Sequence, residues 1–480
     1  MSIWSKYPSK EVFDEYIDKE NKLRKQAKIV SGILEKKGKK NLLEIEKNCQ
    51  NTISARGINF GTYTAHKKSR EKKKWPLDII PRIITKKEWQ KVSKGLSQRV
   101  KAINLFIDDI YNDKKIFKDK VVPKDLIFKS PHYLKECEGF SPKYKSWSNI
   151  SGIDLIRNIN GEFLVLEDNL RVPSGVSYML ENRMVIKDVF PELFTRYKVS
   201  SIDHYCNKLY HCMIDCIPKK TKNPQMVVLT PGIHNSAYFE HSFLAQQMGI
   251  ALVEGKDLFV EKDQVFMKTV TGPLKVDCIY RRLDDTFLDP KVFYKKSVIG
   301  VPGLFKCWKK GNVAILNAPG TGVADDKAIY SFIEKIIKYY LGEQAKLKQV
   351  ETFLCNKKIE RDYVIDNISK LVVKPTNASG GYGILIGPQS STKEKNQMKK
   401  KILKNPRNYI AQPLEILSTT PTISKSGIEP RHLDLRPFVL CGKNIHVTTG
   451  GLTRVALNKG STIVNSSQGG GSKDTLIVES

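Results

Sequence analysis

The chain has 480 residues, 40% hydrophobic and 9% aromatic, with a formal net charge of +31. That length predicts two to four domains. The apolar fraction excludes wholesale disorder, and the lack of any uninterrupted apolar run of about 18 residues excludes a membrane-spanning helix.

The opening stretch, MSIWSKYPSKEVFDEY, lacks the basic-then-apolar pattern of a secretory signal. Nine cysteines without a CxxC pair suit a reducing compartment, so a cytoplasmic protein is expected. Residues 1–75 read as a basic helical region, with KQAKIVSGILEKKGKKNLLEIEKNCQ as its amphipathic stretch. Residues 1–130 hold 32 Lys and Arg against 16 Asp and Glu, which would attract a polyanion. Lysine far outnumbers arginine, however, which a compositional bias also produces. Base-stacking aromatics are also scarce among the basic runs, since KKSREKKKW offers one. Nucleic acid is therefore not the expected partner.

Residues 76–200 begin with an extended piece, WPLDIIPRII, and a long helix with Val92, Leu96, Val100, Ile103, Leu105 and Ile107 on its apolar side. A hairpin follows, IDLIRNINGEFLVLEDN, turning at Asn160-Gly161. Its return strand puts Glu167 and Asn169 two residues apart, hence on one face, and Asp154 stands on the neighbouring strand. Three hard oxygen ligands so placed suit Mg²⁺; the alternative for Asp154 is a turn cap. Arg171 in NLRVPSG either meets a substrate carboxylate or pairs with Asp168.

Residues 201–325 open with HYCNKLYHCMIDC, which contains His204, Cys206, His211, Cys212 and Cys216. The spacing matches no usual zinc pattern, so an amphipathic helix with Cys212 and Cys216 one turn apart on its buried side is favoured. The order strand (PQMVVLTPG), helix (AYFEHSFLAQQMG), strand (IALVEG), hairpin, strand (VDCIYRRLDD) predicts an open parallel sheet. Ligands of such sheets sit beyond the strand carboxyl ends, here TPGIHN and RRLDD. His241 lies on that helix, where a histidine is more often structural than a base. Arg281 and Arg282 precede Asp284 and Asp285, so internal ion pairing competes with one arginine facing the cleft.

Residues 326–480 contain LVVKPTNASGGYGILIG, in which a strand delivers Lys374 to a glycine hairpin. The backbone there can approach phosphates, although a plain flexible hairpin reads the same way. No GK[ST] follows and the loop runs strand to strand, so it is not a P-loop. YIAQPLEIL then offers a linker able to bond an adenine edge through backbone near Gln412 and Leu414.

Lysine, glycine hairpin and hinge, together with an Asp and a Glu-x-Asn, are the parts of an ATP-grasp site, here with the metal half ahead of the nucleotide half. On this order, and on GLSQRVKAINLFIDDIY, TPGIHNSAYFEHSFLAQQMGIALVEGKDL, RRLDDTFLDP, NAPGTGVADDK and GGLTRVA…SSQGGGSKD, the chain resembles the circularly permuted ATP-grasp family. The likeness spans all but residues 1 to about 55. From 224 onward the order is also similar to glutathione synthetase.

The resemblance implies an α/β fold: a permuted ATP-grasp with an open parallel-sheet domain before its nucleotide lobe. By that likeness Lys327, Lys374, Gly380, Gly381, Tyr382, Gly383, Gln412 and Leu414 bind ATP. Asp154, Glu167 and Asn169 bind Mg²⁺, two ions being expected and Mn²⁺ an alternative. Arg436, Arg454 and Arg171 serve the chemistry. Ser174, Gly175, Asn235, Arg281, Arg282, Ser467, Gly469 and Gly470 are the implied substrate contacts. One departure is Asp326 before Lys327, where the family-like dipeptide is Glu-Lys. The implied activity is carboxylate–amine ligation through an acyl phosphate on an amino-acid or peptide-like substrate, a homodimer being compatible with it. The rival readings are a non-catalytic nucleotide-binding scaffold and a basic polyanion-binding protein.

Overall fold

A computed structural model describes residues 3–4, 7, 12–61, 72–377, 382–424, 426–462, 464–465 and 469–479. Gly380, Gly381 and Ser467 lie outside the described residues. Among the described residues no helix is long and apolar enough to cross a membrane.

The early chain gives α1 (Lys28–Ala55), β1 (Leu77–Thr85), α2 (Lys86–Tyr111), β2 (Ile150–Arg157), β3 (Phe163–Asn169), α3 (Val176–Val189) and α4 (Tyr205–Cys216). Thr85 and Glu88 close a capping box that starts α2, each side chain bonding the other's backbone N–H. Its buried stripe runs Val92, Leu96, Val100, Ile103, Phe106, Ile107 and Ile110. Phe106 takes the core place where Leu105 was expected; Leu105 is only half-buried. The β2–β3 turn needs Gly161, at φ +80°, because a Cβ there would meet the Phe13 ring at 2.3 Å.

The middle chain gives β4 (Met226–Leu229), α5 (Tyr238–Met248), β5 (Ala251–Val253), β6 (Cys278–Arg281) and β7 (Ala314–Leu316). These strands form an all-parallel sheet in the order β7-β6-β4-β5, as the strand–helix–strand spacing predicts.

The late chain gives β8 (Phe353–Leu354), β9 (Leu371–Pro375), β10 (Leu385–Ile386), β11 (Tyr409–Pro413), β12 (Thr419–Ser424), β13 (Gly427–Arg436), β14 (Phe438–Cys441), β15 (Leu452–Val455) and β16 (Gly471–Val478). An antiparallel sheet in the order β8-β11-β9-β10 carries Lys374.

The remaining late strands interleave with the early ones in a ten-stranded sheet whose path includes β3-β2-β13-β15-β16-β1. Leu155 of β2 lies opposite Leu435 of β13, Gly152 lies opposite Phe438 of β14, and β16 runs parallel to β1 from Ser472–Leu77 to Val478–Thr85. Residues far apart in sequence thus share one sheet, as a permuted order requires.

The N-terminal region is built into this body. Asp14 bridges Thr419, and Glu15 pairs with Arg82 (2.5 Å) and Arg157 (3.3 Å), all three side chains fully or nearly fully buried. Trp75 stacks on Tyr178 of α3 with ring centroids 4.0 Å apart.

Candidate functional site

The β2–β3 register pairs Asp154 with Glu167 and Gly152 with Asn169, which puts Asp154, Glu167 and Asn169 on one sheet face. Asp168 faces the other way and takes a bidentate pair from Arg99 of α2, at 2.7 and 2.6 Å. Arg171 therefore does not pair with Asp168. It bridges Asp325 (2.5 Å) and Asp284 (2.9 Å) instead.

Asp154 sits at the centre of a buried arginine–carboxylate network. Its two oxygens accept from Arg436 Nε and Nη2, at 2.5 and 2.8 Å, and from Arg454 Nη2 at 2.8 Å. Arg454 also donates to Asp434 through Nε at 2.8 Å and through Nη2. Burial pushes the Asp154 carboxyl up, but Arg436 and then Arg454 outweigh it and hold it at about 2.

The two lysines approach the same face from the late chain. Lys327 begins a short helix capped by Asp326, whose Oδ1 accepts from Ala328 N at 2.9 Å. Asp326 is fixed in turn by Arg407 (2.5 Å) and Ser130 (3.0 Å), so the shorter acid at this position serves as a cap. Lys327 Nζ lies 2.7 Å from Glu167 Oε1. Lys374 donates to Gln412 Oε1 at 2.6 Å, and Gln412 donates to Thr352 Oγ1 at 2.9 Å. Burial brings the Lys374 ammonium down to about 8, with Glu167 opposing that shift and Lys327 adding to it.

Glu167, Lys327, Lys374, Gln412 and Asp325 together line a cleft of about 10 Å³. Gln412 points its side chain at Lys374, while Leu414 follows the end of β11, half-buried. Tyr382 is 60% exposed, and Gly383 turns the chain at φ +73°.

Beside this cleft, and sharing Asp325 with it, lies a cavity of about 400 Å³. Asn169, Arg171, Ser174, Gly175, Asn235, Arg282, Arg436 and Arg454 all line it, with Trp75, Tyr178 and His241. Gly175 is obligatory here: its φ is +124°, and a Cβ would stand 2.9 Å from Leu452 Cδ2. His241 bonds Thr230 Oγ1 through Nδ1 at 2.9 Å. Burial and the nearby Arg282 hold it well below the usual imidazole range, so it is neutral.

Of the arginine pair, Arg282 faces the cavity. It donates to Pro173 O (2.8 Å), Ser174 Oγ and Glu240 Oε1 (3.1 Å). Arg281 does not reach the cavity, contrary to its expected substrate role. Being fully buried, it needs internal acceptors and finds them in Asn317 O (2.6 Å), Leu283 O (2.9 Å), Ala318 O (3.2 Å) and Asp285 (2.7 Å). Gly470 packs where a Cβ would lie 2.0 Å from Val464 O, and the exposed Gly469 precedes it at φ +94°; neither lines the cavity.

Sequence reasoning missed two organising residues. Glu240, fully buried on α5, accepts from Gly175 N (2.7 Å) and from Ser177 N and Oγ (3.1 Å each) while pairing with Arg282. Asn317 ties the parallel sheet to the carboxylate hairpin through Ile150 N (2.7 Å), Ile150 O (2.6 Å) and Leu170 O (2.6 Å). The only signals were a Glu beside the singled-out His241 and an Asn ending a strand.

The donor set partly fits a magnesium ion. Glu167 and Asn169 offer hard oxygens from one face, although Glu167 Oε1 also holds Lys327 at 2.7 Å. Asp154, expected as the third ligand, has both oxygens taken by arginines. Among the described residues no group of three or more His, Cys, Asp or Glu side chains could hold a metal.

Comparison with known proteins finds relatives in sequence and a shared fold. An uncharacterized Synechocystis protein is 52% identical over 406 residues, 84% of each chain. An uncharacterized Mycobacterium bovis protein is 48% identical over 411 residues, 85% of this chain and 75% of its own. A Frankia casuarinae protein named "Putative glutamate–cysteine ligase 2-2" is 39% identical over 97% of this chain, which spans 53% of that protein. A solved structure, a glutathione synthetase-like effector from Globodera pallida in apo form, shares the fold. It matches at TM-score 0.58 and 11% identity, over 92% of this chain and 98% of the effector. The model of the family described as circularly permuted ATP-grasp type 2 matches residues 81–456, and the chain belongs to that family.

Proposed function

We propose that the chain is an ATP- and Mg²⁺-dependent carboxylate–amine ligase that acts through an acyl phosphate on an amino-acid or peptide-like carboxylate. The observation that supports this most is the meeting of Glu167 with Lys327 and Lys374 at one cleft, next to an arginine-lined cavity that Asn169 faces. A carboxylate is a poor electrophile, and phosphorylation gives it a leaving group. Charge then spreads over the transferring phosphoryl oxygens, where fixed cations lower the barrier. In this reading Lys327 and Lys374 hold the phosphates, and Arg436 and Arg454 steady the acyl phosphate. Bound Mg²⁺, held by Glu167 and Asn169, would neutralise phosphate charge.

Residues 76–200 then supply the metal half, 201–325 the pre-ATP-grasp substrate part and 326–480 the nucleotide lobe. The Frankia name supports amino-acid substrates, although this chain matches about half of that protein.

The test is ADP release, with mass spectrometry of the product, across a panel of amino acids and short peptides. Glu167→Gln should abolish release and leave the far-UV spectrum unchanged; wild-type turnover in that variant would remove the metal assignment. A second reading, a nucleotide-binding scaffold, draws on the internal pairing of Lys327 with Glu167 and of Asp154 with two arginines. Tight nucleotide binding without ADP formation across the whole panel would favour it.

A further inference from the structure

The motif HYCNKLYHCMIDC has no part in the ligase chemistry. It forms α4, with Cys212 and Cys216 one turn apart and both buried. Cys278 of β6 and Cys441 of β14 stand near this pair. Among the described residues no group of three or more His, Cys, Asp or Glu side chains is placed to hold a metal ion.

Cys216 lines a pocket of about 30 Å³ with Phe140, Lys143, Asn149, Pro218 and Trp308. Its Sγ accepts from Asn149 Nδ2 at 3.2 Å, and Lys143 Nζ donates to the adjacent Ile217 carbonyl at 2.8 Å. A space of that size holds one or two water-sized molecules, so it admits hydrogen peroxide and excludes a tripeptide disulfide.

We propose that Cys216 is a peroxide-oxidisable thiol and that Cys212 is its resolving partner. The Cys216 sulfur attacks one peroxide oxygen; the O–O bond breaks, an S–O bond forms, and water leaves, giving a sulfenic acid. The Cys212 sulfur then displaces that oxygen as a second water, forming the S–S bond. The two thiols lose two electrons and two hydrogens, and peroxide takes both.

Residues four apart on a helix have Cβ atoms about 5–6 Å apart, whereas a disulfide needs about 3.5–4.5 Å. The last turn must therefore give by roughly 1–2 Å. Cys216 is the final residue of α4 and the chain turns extended at Ile217, so that turn alone has to open. Asn149 also holds Ser146 Oγ (3.1 Å) and Cys441 O (3.0 Å) immediately before β2, so the pair abuts the root of the carboxylate hairpin.

The experiment treats the full chain, reduced beforehand, with hydrogen peroxide or with oxidised glutathione. Free thiols are then alkylated, and intact and peptide masses are read. Peroxide should remove two hydrogens and link Cys212 to Cys216, while oxidised glutathione leaves both thiols free. Cys212→Ser should accumulate a dimedone-trappable sulfenic acid at Cys216, and Cys216→Ser should leave Cys212 unoxidised. A link from Cys216 to Cys278 or Cys441, equal oxidation of Cys206, or equal reaction with oxidised glutathione would overturn the assignment. Matching melting curves of both serine variants and the wild type show that the comparison is made on folded protein.

Discussion

Lys374→Met separates the work of this lysine from its burden on the fold. Burial lowers the ammonium from 10.5 to about 8, so near neutral pH the folded protein carries a charge it holds less well than the unfolded chain does. At about 1.4 kcal/mol per tenfold in proton affinity, the gap destabilises the native state by about 3 kcal/mol. Methionine removes that term but strips Gln412 Oε1 of its donor, a loss of about 1–3 kcal/mol. The variant should therefore be as stable as wild type at about pH 7, or more so by up to about 2 kcal/mol.

The pH dependence is sharper, because the Gln412 loss cancels from it. Between about 8 and 10.5 the unfolded chain keeps a proton that the native lysine has released, so wild-type stability rises with pH through this window. The variant lacks that rise, and the stability difference should swing toward wild type by about 2.5 kcal/mol between about pH 7 and about pH 10. Urea unfolding followed by tryptophan fluorescence, on both proteins at both pH values, measures the swing. Nucleotide affinity should meanwhile fall sharply in the variant. A stability difference that does not change with pH would refute the strained-lysine argument, whatever happens to nucleotide binding.

Other expectations concern the surrounding networks. Asp154→Ala strands Arg436 and Arg454 beside a lone Asp434, and chemical unfolding should show a loss of about 3–5 kcal/mol. Because the Asp154 carboxyl is depressed to about 2, its stabilisation is complete above the ordinary 3.8 and fades as pH falls through about 2. The stability difference between wild type and Asp154→Ala should therefore stay flat from about pH 7 down to about pH 4. Gly175→Ala, forced to φ +124° against Leu452, should cost about 1–3 kcal/mol in thermal unfolding and abolish ADP release. Removing residues 1–24 takes Glu15 from Arg82 and Arg157, and the truncated protein should lose about 3–5 kcal/mol or fail to fold. A truncated protein of wild-type stability would show that residues 1–24 are not part of the folded core.

Short-range pattern revealed much of this molecule. The β2–β3 hairpin, the face shared by Asp154, Glu167 and Asn169, the parallel sheet and the buried pairing of Cys212 with Cys216 all follow from periodicity and turn chemistry. The order of lysine, glycine hairpin and carboxylates was legible too, because each part announces itself within about ten residues. Partner choice was not. Whether Arg171 meets Asp168 or Asp325 depends on which face of β3 Asp168 occupies once Arg99 arrives from α2, a contact between residues 69 apart. Glu240 and Asn317 escaped notice because a buried acid or amide shows its partners only after the elements have packed. Arg281 and Arg282 are chemically identical neighbours, and strand alternation alone turns one toward the cavity and the other into the core.

The pairing of β16 with β1 bears on how the protein is made. On the ribosome, residues 77–85 emerge long before the strand at 471–478 that must lie against them, and Asp154 appears well ahead of Arg436 and Arg454. Until residues 471–478 have been made, the central sheet lacks a strand between β15 and β1, and until residue 454 the buried carboxylate lacks its counter-charges. A chain that stops before residues 471–478 leaves β15 and β1 as open sheet edges, which favour pairing with other chains.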